Sequence, residues 1–177
     1  MNTLQTQRLT LLPQVEAHAD EMFVVLGDAA LYAYENEPPA SLAWLRARFA
    51  RLESRQSADG RQRWLNWVLR AVDDTLIGYV QATVLADGAA YLAYVLGSAH
   101  WGHGLASEAT AAVMDELVAR YRVHEFLAVL KRDNRRSLRL LERQGFVPAS
   151  AAALAAHPID ADELLMTLTR TRDDAIR

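Results

Sequence analysis

Cysteine is absent from the 177-residue chain, which excludes disulfide bonds, thiolate catalysis and cysteine-ligated metal. The five histidines include no pair at a ligand spacing with a carboxylate partner, so no metal site is predicted. No apolar run approaches bilayer length, and the first residues lack the basic-then-apolar layout of a signal peptide. We therefore expect no membrane partner and a cytoplasmic location.

A strong charge of either sign is also missing. The formal net charge is -3, with 51% apolar and 23% charged residues. This composition is typical of a soluble globular protein, and the weak negative charge argues against a broad nucleic-acid-binding face. No repeat or linker divides the chain, and the only biased segment is an alanine-rich patch at 149–156. We expect residues 1–177 to form a single domain that binds no nucleic acid.

The first third of the chain predicts a strand followed by two helices. Residues 8–12 are a short apolar run closed by Pro13, and apolar residues at helical spacing follow over 16–26. Ser41 is a favourable N-cap for a second helix that continues to Leu52.

The middle of the chain predicts a three-stranded antiparallel meander. Residues 64–71, 76–85 and 89–96 are rich in side chains that favour strands. Asp87-Gly88 between two apolar arms is a strong hairpin signal. Both faces of the meander are largely apolar, so we expect helices to cover both.

The second half alternates helices and strands. The chain therefore predicts one mixed α/β domain, with a sheet of six or seven strands flanked by about four helices. The predicted elements are a helix at 106–121, a strand at 125–130, a helix capped by Asp133 or Asn134 and ended by Gly145, a strand from Phe146, and a last strand at 164–169.

A glycine-containing loop connects the third meander strand to the helix after it. Unpaired N–H groups and the macrodipole at a helix start attract anions, and glycine lets the backbone approach them closely. The loop thus suits a phosphate or pyrophosphate. It is neither a P-loop nor a Gly-x-Gly-x-x-Gly motif, because Ser107 stands at the third glycine position. Its sequence is Trp101-Gly102-His103-Gly104-Leu105-Ala106.

These residues resemble the acyl-CoA loop of the GNAT superfamily of N-acetyltransferases, Gln/Arg-x-x-Gly-x-Gly/Ala. Tryptophan in the first position is similar to the Rim-type branch (RimJ/RimL-like), which includes the ribosomal-protein N-terminal acetyltransferases. A second motif follows about thirty residues later, and the resemblance spans roughly residues 6–170. That motif is Asn134-x-x-Ser137 with Leu141-Glu142-x-x-Gly145-Phe146.

The resemblance implies a GNAT-like fold in which the fourth and fifth strands splay apart. Acetyl-CoA, the acetyl donor and co-substrate, would lie in the cleft between them. Main-chain groups of Val95 and Leu96 would bond its pantetheine amides, and Asn134 would contact the pantetheine. The implied cofactor loop is Trp101, Gly102, His103, Gly104, Leu105 and Ala106, with the amides of the last four on the pyrophosphate.

Arginines flank the second motif. Arg132, Arg135 and Arg136 lie on either side of Asn134. Clustered guanidinium groups suit the 3′-phosphate of CoA, because arginine recognises phosphate well. A solvated basic turn is the alternative.

Acetyl transfer from a thioester needs a neutral amine, a polarised carbonyl and help for the leaving thiolate. Much of the superfamily uses a tyrosine at the position of Leu141, which this chain lacks. The Rim-type branch places serine at Ser137, so we predict Ser137 as the proton or hydrogen-bond donor to sulfur. Glu35 and Glu37, just before the second helix, are candidate bases.

The acceptor amine stays open at this point. It is either a protein N-terminal amine or a small-molecule amine, and the protein is a monomer or a homodimer. One alternative is a regulatory module that binds acyl-CoA without turnover, which the missing tyrosine favours. Another is a nucleic-acid binder built on the helices around Arg135, which the net charge and the strand-rich centre oppose.

Overall fold

The computed structural model describes residues 1–34 and 37–170. Eight strands form one sheet, and all neighbouring strands are antiparallel except β5 and β6. The order across the sheet is β1-β2-β3-β4-β5-β6-β8-β7. The strands are β1 Leu4–Gln5, β2 Leu9–Pro13, β3 Arg63–Ala71, β4 Leu76–Val84, β5 Ala89–Leu96, β6 Glu125–Lys131, β7 Val147–Pro148 and β8 Glu163–Thr169.

Five α-helices surround this sheet in the described ranges. Short 3-10 turns lie before α1, between α1 and α2, and before α3. The α/β class and the meander are as predicted, whereas the two-residue strand β1 and the short helix α5 were not foreseen. No described helix combines the length and apolar character needed to cross a bilayer. The helices are α1 Ala19–Val25, α2 Leu42–Leu52, α3 Leu105–Tyr121, α4 Arg135–Arg143 and α5 Ala151–Ala156.

Local chemistry explains several helix and turn boundaries. The Ser41 hydroxyl accepts a hydrogen bond from the Trp44 amide and so caps α2, as its position predicts. The hairpin between β4 and β5 turns at Gly88, whose φ of +87° favours glycine. Gly145 follows α4 with a φ of +90° and ends that helix.

The meander is covered on both faces. Adjacent β3 residues Trp67 and Val68 are fully buried in two different apolar clusters. Because successive strand residues point to opposite faces, these clusters lie on opposite sides of the sheet. Side chains of α3 and α4 complete the Trp67 cluster, and side chains of α1 and α2 complete the Val68 cluster.

The sheet opens at the only parallel pair of strands in its described part. β5 and β6 are paired at Ala89 with Glu125, at Ala90 with Phe126 and at Tyr91 with Leu127, and no further. β5 stays paired with β4 up to Leu96, and β6 stays paired with β8 along its whole length. The two strands therefore diverge after Tyr91. They correspond to the fourth and fifth strands of the expected fold, which did not include the short strand β1, so the divergence is the predicted splay.

Candidate active site

A groove of about 850 Å³ lies where β5 and β6 diverge. Four segments build its wall: the end of β5, the loop and start of α3, one side of α4 along its whole length, and the connection from α1 to α2. The sequence brings these segments together because the two motifs follow the two diverging strands. The groove residues from β5, the loop and α3 are Tyr94, Val95, Leu96, His100, Trp101, Gly102, Gly104, Leu105, Ala106 and Ser107.

The start of α3 presents free backbone amides to the groove. Gly104 is its N-cap residue in the left-handed conformation, with φ +77°, and no side chain caps the helix. The first helical bond is donated by the Glu108 amide to the Gly104 carbonyl. None of the amides of residues 102–107 has a hydrogen-bond partner in the described part of the chain. This end of α3 is therefore suited to an anion.

An ion pair formed by Arg8, the residue just before β2, holds the loop in place. The Arg8 side chain donates to the Glu108 carboxylate at 2.7 Å and to the His103 carbonyl at 2.7 Å. Burial tends to raise the pKa of Glu108, but hydrogen bonds from Thr6 and Arg8 and the Arg8 charge outweigh it and lower that pKa. The Glu108 carboxylate is thus turned towards Arg8, and His103 contributes its carbonyl to the same contact.

Trp101 ties the loop back to the end of β5. Its indole Nε1 donates to the Leu96 carbonyl at 2.6 Å. The Arg136 guanidinium lies 3.5 Å from the Trp101 ring centroid, a cation–π contact that joins α4 to the loop. Part of the acceptor capacity of the Leu96 carbonyl is therefore used within the protein.

The backbone of β5 is pressed against β4 beside this contact. A Cβ atom at Gly78 would overlap the Val95 carbonyl oxygen, so only glycine fits this close approach.

Tyr94 and Ser137 meet across the groove. Their hydroxyl oxygens are 2.6 Å apart, and either group can donate. Burial raises the pKa of Tyr94 to about 12, against the lowering effect of the Ser137 hydrogen bond, so the phenol keeps its proton at neutral pH. The Asn134 side-chain oxygen accepts from the Ser137 amide and caps α4, which fixes Ser137 in the first turn.

The α4 wall of the groove is strongly basic. Arg135, Arg136, Arg139 and Arg143 line it, and none of them forms an ion pair with a carboxylate in residues 1–34 or 37–170. Arg132 instead donates to the Ala161 carbonyl at 3.1 Å and does not line the groove. The helical wall therefore offers guanidinium groups to a polyanionic ligand.

A second, smaller cavity of about 220 Å³ adjoins the groove and shares Leu31 and Val95 with it. It lies on the face of the sheet covered by α1 and α2. Glu37 lines this cavity and not the groove, while Glu35 is outside the described residues.

The structure brings most of the predicted site residues together. Val95, Leu96, Asn134, Ser137 and the loop residues other than His103 line the groove; His103, Arg132 and Glu37 do not. Sequence reasoning left Tyr94 as either a residue of the acceptor cleft or a packing residue of its strand, and it overlooked Arg139 and Arg143. The spacing of four residues from Arg135 to Arg139 to Arg143 was the available signal, because it places them on one helix face.

Within the described ranges no group of three or more His, Cys, Asp or Glu side chains is arranged to hold a metal ion.

Comparisons with known proteins agree on one family. The acetyltransferase (GNAT) domain family matches residues 8–147. An uncharacterized N-acetyltransferase, p20, from Bacillus licheniformis is 26% identical over 148 residues, which cover 82% of this chain and 83% of p20.

The solved structures that share the fold include two acetyltransferases with bound coenzyme A. RimL, a ribosomal-protein alpha-N-acetyltransferase in complex with coenzyme A, superposes with a TM-score of 0.79 at 15% identity over 97% of this chain and 100% of its own. A spermidine N-acetyltransferase from Vibrio cholerae, in complex with CoA and spermine, gives a TM-score of 0.75 at 17% identity over 97% of this chain and 100% of its own.

Proposed function

Because this chain belongs to the acetyltransferase (GNAT) family and is an N-acetyltransferase that uses acetyl-CoA, we propose that it transfers the acetyl group directly to a primary amine. The observation that carries the proposal is the start of α3. Its unpaired amides line a groove that is open because β5 and β6 diverge.

The residues of the groove fit the charged end of acetyl-CoA. The amides of Gly104, Leu105 and Ala106, together with that of the adjoining His103, suit the pyrophosphate, because they combine free N–H groups with the positive end of the α3 dipole. The arginines of α4 suit the 3′-phosphate, since guanidinium groups recognise phosphate in a bidentate manner.

The apolar and main-chain part of the groove suits the pantetheine arm. Val95 and Leu96 line it from the diverging strand, and Asn134 lines it from α4. On its β6 side, β5 has no hydrogen-bonded strand here, so the backbone groups on that edge are available to the pantetheine amides.

The acetyl transfer involves no change of oxidation state, so it needs no oxidant or reductant. The neutral amine attacks the thioester carbonyl carbon, the C–N bond forms, and the C–S bond breaks. The thiolate takes a proton from the Ser137 hydroxyl, which Tyr94 orients through their 2.6 Å contact. The proton that the amine loses returns to Ser137 through solvent, so both side chains end the cycle protonated. The products are the N-acetylated amine and CoA in the thiol form.

The amine must also lose a proton. Glu37 and Val95 both line the smaller cavity. Of the two predicted bases, Glu37 is the one within the described residues, so its carboxylate is the candidate to accept that proton, directly or through water. A pH–rate profile unchanged by Glu37→Gln would exclude this role. Glu35 is the second candidate, to be tested by the same substitution.

We further propose that the chain belongs to the Rim-type branch. Support comes from Trp101 in the first position of the loop. Further support comes from the second motif, which has Leu141 where much of the superfamily has the catalytic tyrosine and has a serine at position 137. Leu141 is 1% exposed and packs in the core, so it offers no group to the reaction.

Calorimetric titration with acetyl-CoA, run beside a thiol-release screen over amines and peptides, tests the proposal. We expect saturable binding, and thiol release with at least one amine. Ser137→Ala should keep the affinity for acetyl-CoA and lose kcat, because Ser137 acts on the leaving group. Absence of acetyl-CoA binding, or full kcat in Ser137→Ala, would refute the corresponding part of the mechanism.

A further inference from the structure

The smaller cavity carries a row of three side-chain amides, one just after β2 and one each on β3 and β4. Gln14 follows β2, and its backbone amide donates to the Asn66 carbonyl on β3. Asn66 in turn pairs with Gln81 on β4. All three residues line the cavity, on a face of the sheet that is otherwise packed with apolar side chains.

Two of these side chains are buried, and their amide nitrogens lack hydrogen-bond partners within the described residues. Gln14 is 3% exposed and Asn66 is 2% exposed, and neither side-chain nitrogen has a hydrogen-bond partner in the described part of the chain. A buried donor without a partner is costly to stability. A hydrogen-bond acceptor on a ligand in the cavity would relieve that cost.

Arg48 adds a positive charge to the same cavity. It is half-buried, its guanidinium lies over the Trp44 ring at 5.6 Å, and it forms no ion pair with a described carboxylate. Glu37 is the one acid among the cavity residues that the structure describes. The cavity therefore favours a ligand oxygen more than a chain of several ammonium groups.

The volume of the cavity limits the size of the acceptor group that can bind in it. Its volume of about 220 Å³ is below the roughly 300–1,000 Å³ of pockets that enclose a drug-sized ligand. It has room for one small unit of an acceptor next to Val95, where the acetyl group would arrive.

We propose that this cavity selects an α-amine that carries a neighbouring carbonyl or carboxylate oxygen, and that Gln14, Asn66 and Arg48 receive that oxygen. A free amino acid and a peptide N-terminus share this chemistry. The inference rests on the proposed acetyl transfer and names the acceptor class of that reaction.

A matched pair of amines tests the role of the oxygen. Alaninamide and 3-methylbutan-2-amine have nearly the same shape, but the second replaces the carboxamide with an isopropyl group. Rates are compared per neutral amine, because an α-amino group titrates near pH 8 and an alkylamine near pH 10. We expect kcat/KM to favour alaninamide by at least about 100-fold, below the roughly 10⁴- to 10⁵-fold seen for sites built around a substrate polar group.

Variants then assign the preference to the named residues. Asn66→Asp keeps the shape but replaces the donor with an acceptor, so it should abolish the preference for alaninamide and leave the KM for acetyl-CoA unchanged. Arg48→Gln should lower kcat/KM for alanine more than for alaninamide. Arg46→Gln is its matched control, since Arg46 lies on the same helix, pairs with Asp20 and does not line the cavity.

The same assays distinguish a free amino acid from a peptide N-terminus as the acceptor. They also distinguish failure of this inference from failure of the proposed acetyl transfer. Alanine preferred over an alanyl dipeptide indicates a free amino acid, and the reverse indicates a peptide N-terminus. If 3-methylbutan-2-amine or spermidine is acetylated as well as alaninamide, the inference is overturned while acetyl transfer stands. If no amine releases thiol although acetyl-CoA binds, the proposed function fails and the inference fails with it.

Discussion

The contact between Tyr94 and Ser137 leads to a quantitative prediction for Tyr94→Phe. This substitution removes only the phenolic oxygen and leaves the ring in place on β5. The Ser137 hydroxyl then loses the partner that lies 2.6 Å away and no longer has one preferred orientation. We expect kcat to fall while the KM for acetyl-CoA stays the same, because the interaction matters most when charge develops on sulfur.

The size of the effect follows from the hydrogen bond. A neutral hydrogen bond contributes about 0.5–1.5 kcal/mol net, and each 1.36 kcal/mol corresponds to a tenfold rate. Tyr94→Phe should therefore lower kcat by about 2- to 13-fold. Ser137→Ala should lower it by roughly 100-fold or more, as loss of a general acid does. If Tyr94 acts only through Ser137, the double variant should match Ser137→Ala alone.

A thiol-release assay at saturating acetyl-CoA measures these rates, and Tyr91→Phe is the matched control. Tyr91 lies on the same strand, and its hydroxyl is 2.9 Å from His157 Nδ1, outside the groove. This control should keep kcat within about twofold, since only stability is affected. Full kcat in Tyr94→Phe would refute the reasoning, and so would effects of Tyr94→Phe and Ser137→Ala that multiply in the double variant.

Three further predictions concern the cofactor end of the site. Gly104→Ala costs about 1–2 kcal/mol in the left-handed conformation, so we expect the free loop to relax away from it. Binding must then restore that conformation, which should weaken acetyl-CoA binding about 5- to 30-fold by calorimetry. Gly60→Ala carries the same strain at φ +70° away from the groove and should keep the affinity. Arg139→Gln should weaken CoA binding about 2- to 5-fold at low salt and not at 1 M, where charges are screened within about 3 Å; an effect independent of salt would contradict a phosphate contact. Glu108→Gln should cost about 1 kcal/mol at pH 7, a value limited by the 44% exposure of Arg8. Because the folded-state pKa of Glu108 is lowered, this stabilisation is complete above its ordinary value of 4.5 and is lost as the pH falls through the folded-state pKa. Equal melting temperatures of the two proteins at pH 7 would count against it.

Local patterns were sufficient for much of the fold. The meander, the helix after the glycine loop and the caps at Ser41 and Asn134 depend on residues close in sequence, so periodicity and capping chemistry predict them. Helix α5 escaped prediction because six residues, Ala151–Ala156, are too few to show an apolar period. Strand β1 has two residues and depends on pairing with β2.

The site was only partly predictable, because its decisive contacts join distant segments. The alternation of side chains along β5 predicts which face of the sheet Tyr94 lies on. The contact between Ser137 and Tyr94 depends on how α4 packs, which the local sequence does not show. The amide row joins Gln14, just after β2, to Asn66 on β3 and Gln81 on β4, and it depends on the register of these strands. Such pairings are set by tertiary structure and leave no local signal.

The short seam between β5 and β6 has a consequence for how the protein unfolds. Strands β1–β5 and strands β6–β8 are joined by three residue pairs, so the backbone links between these two parts of the sheet are few. A ligand that bonds to both edges of the opening would join them into one cooperative unit, and at 100 times its Kd it would add about 2.7 kcal/mol of stability. Amide hydrogen exchange in β6 and β8 should then slow together with that in β5 when acetyl-CoA binds, although β8 lies outside the groove.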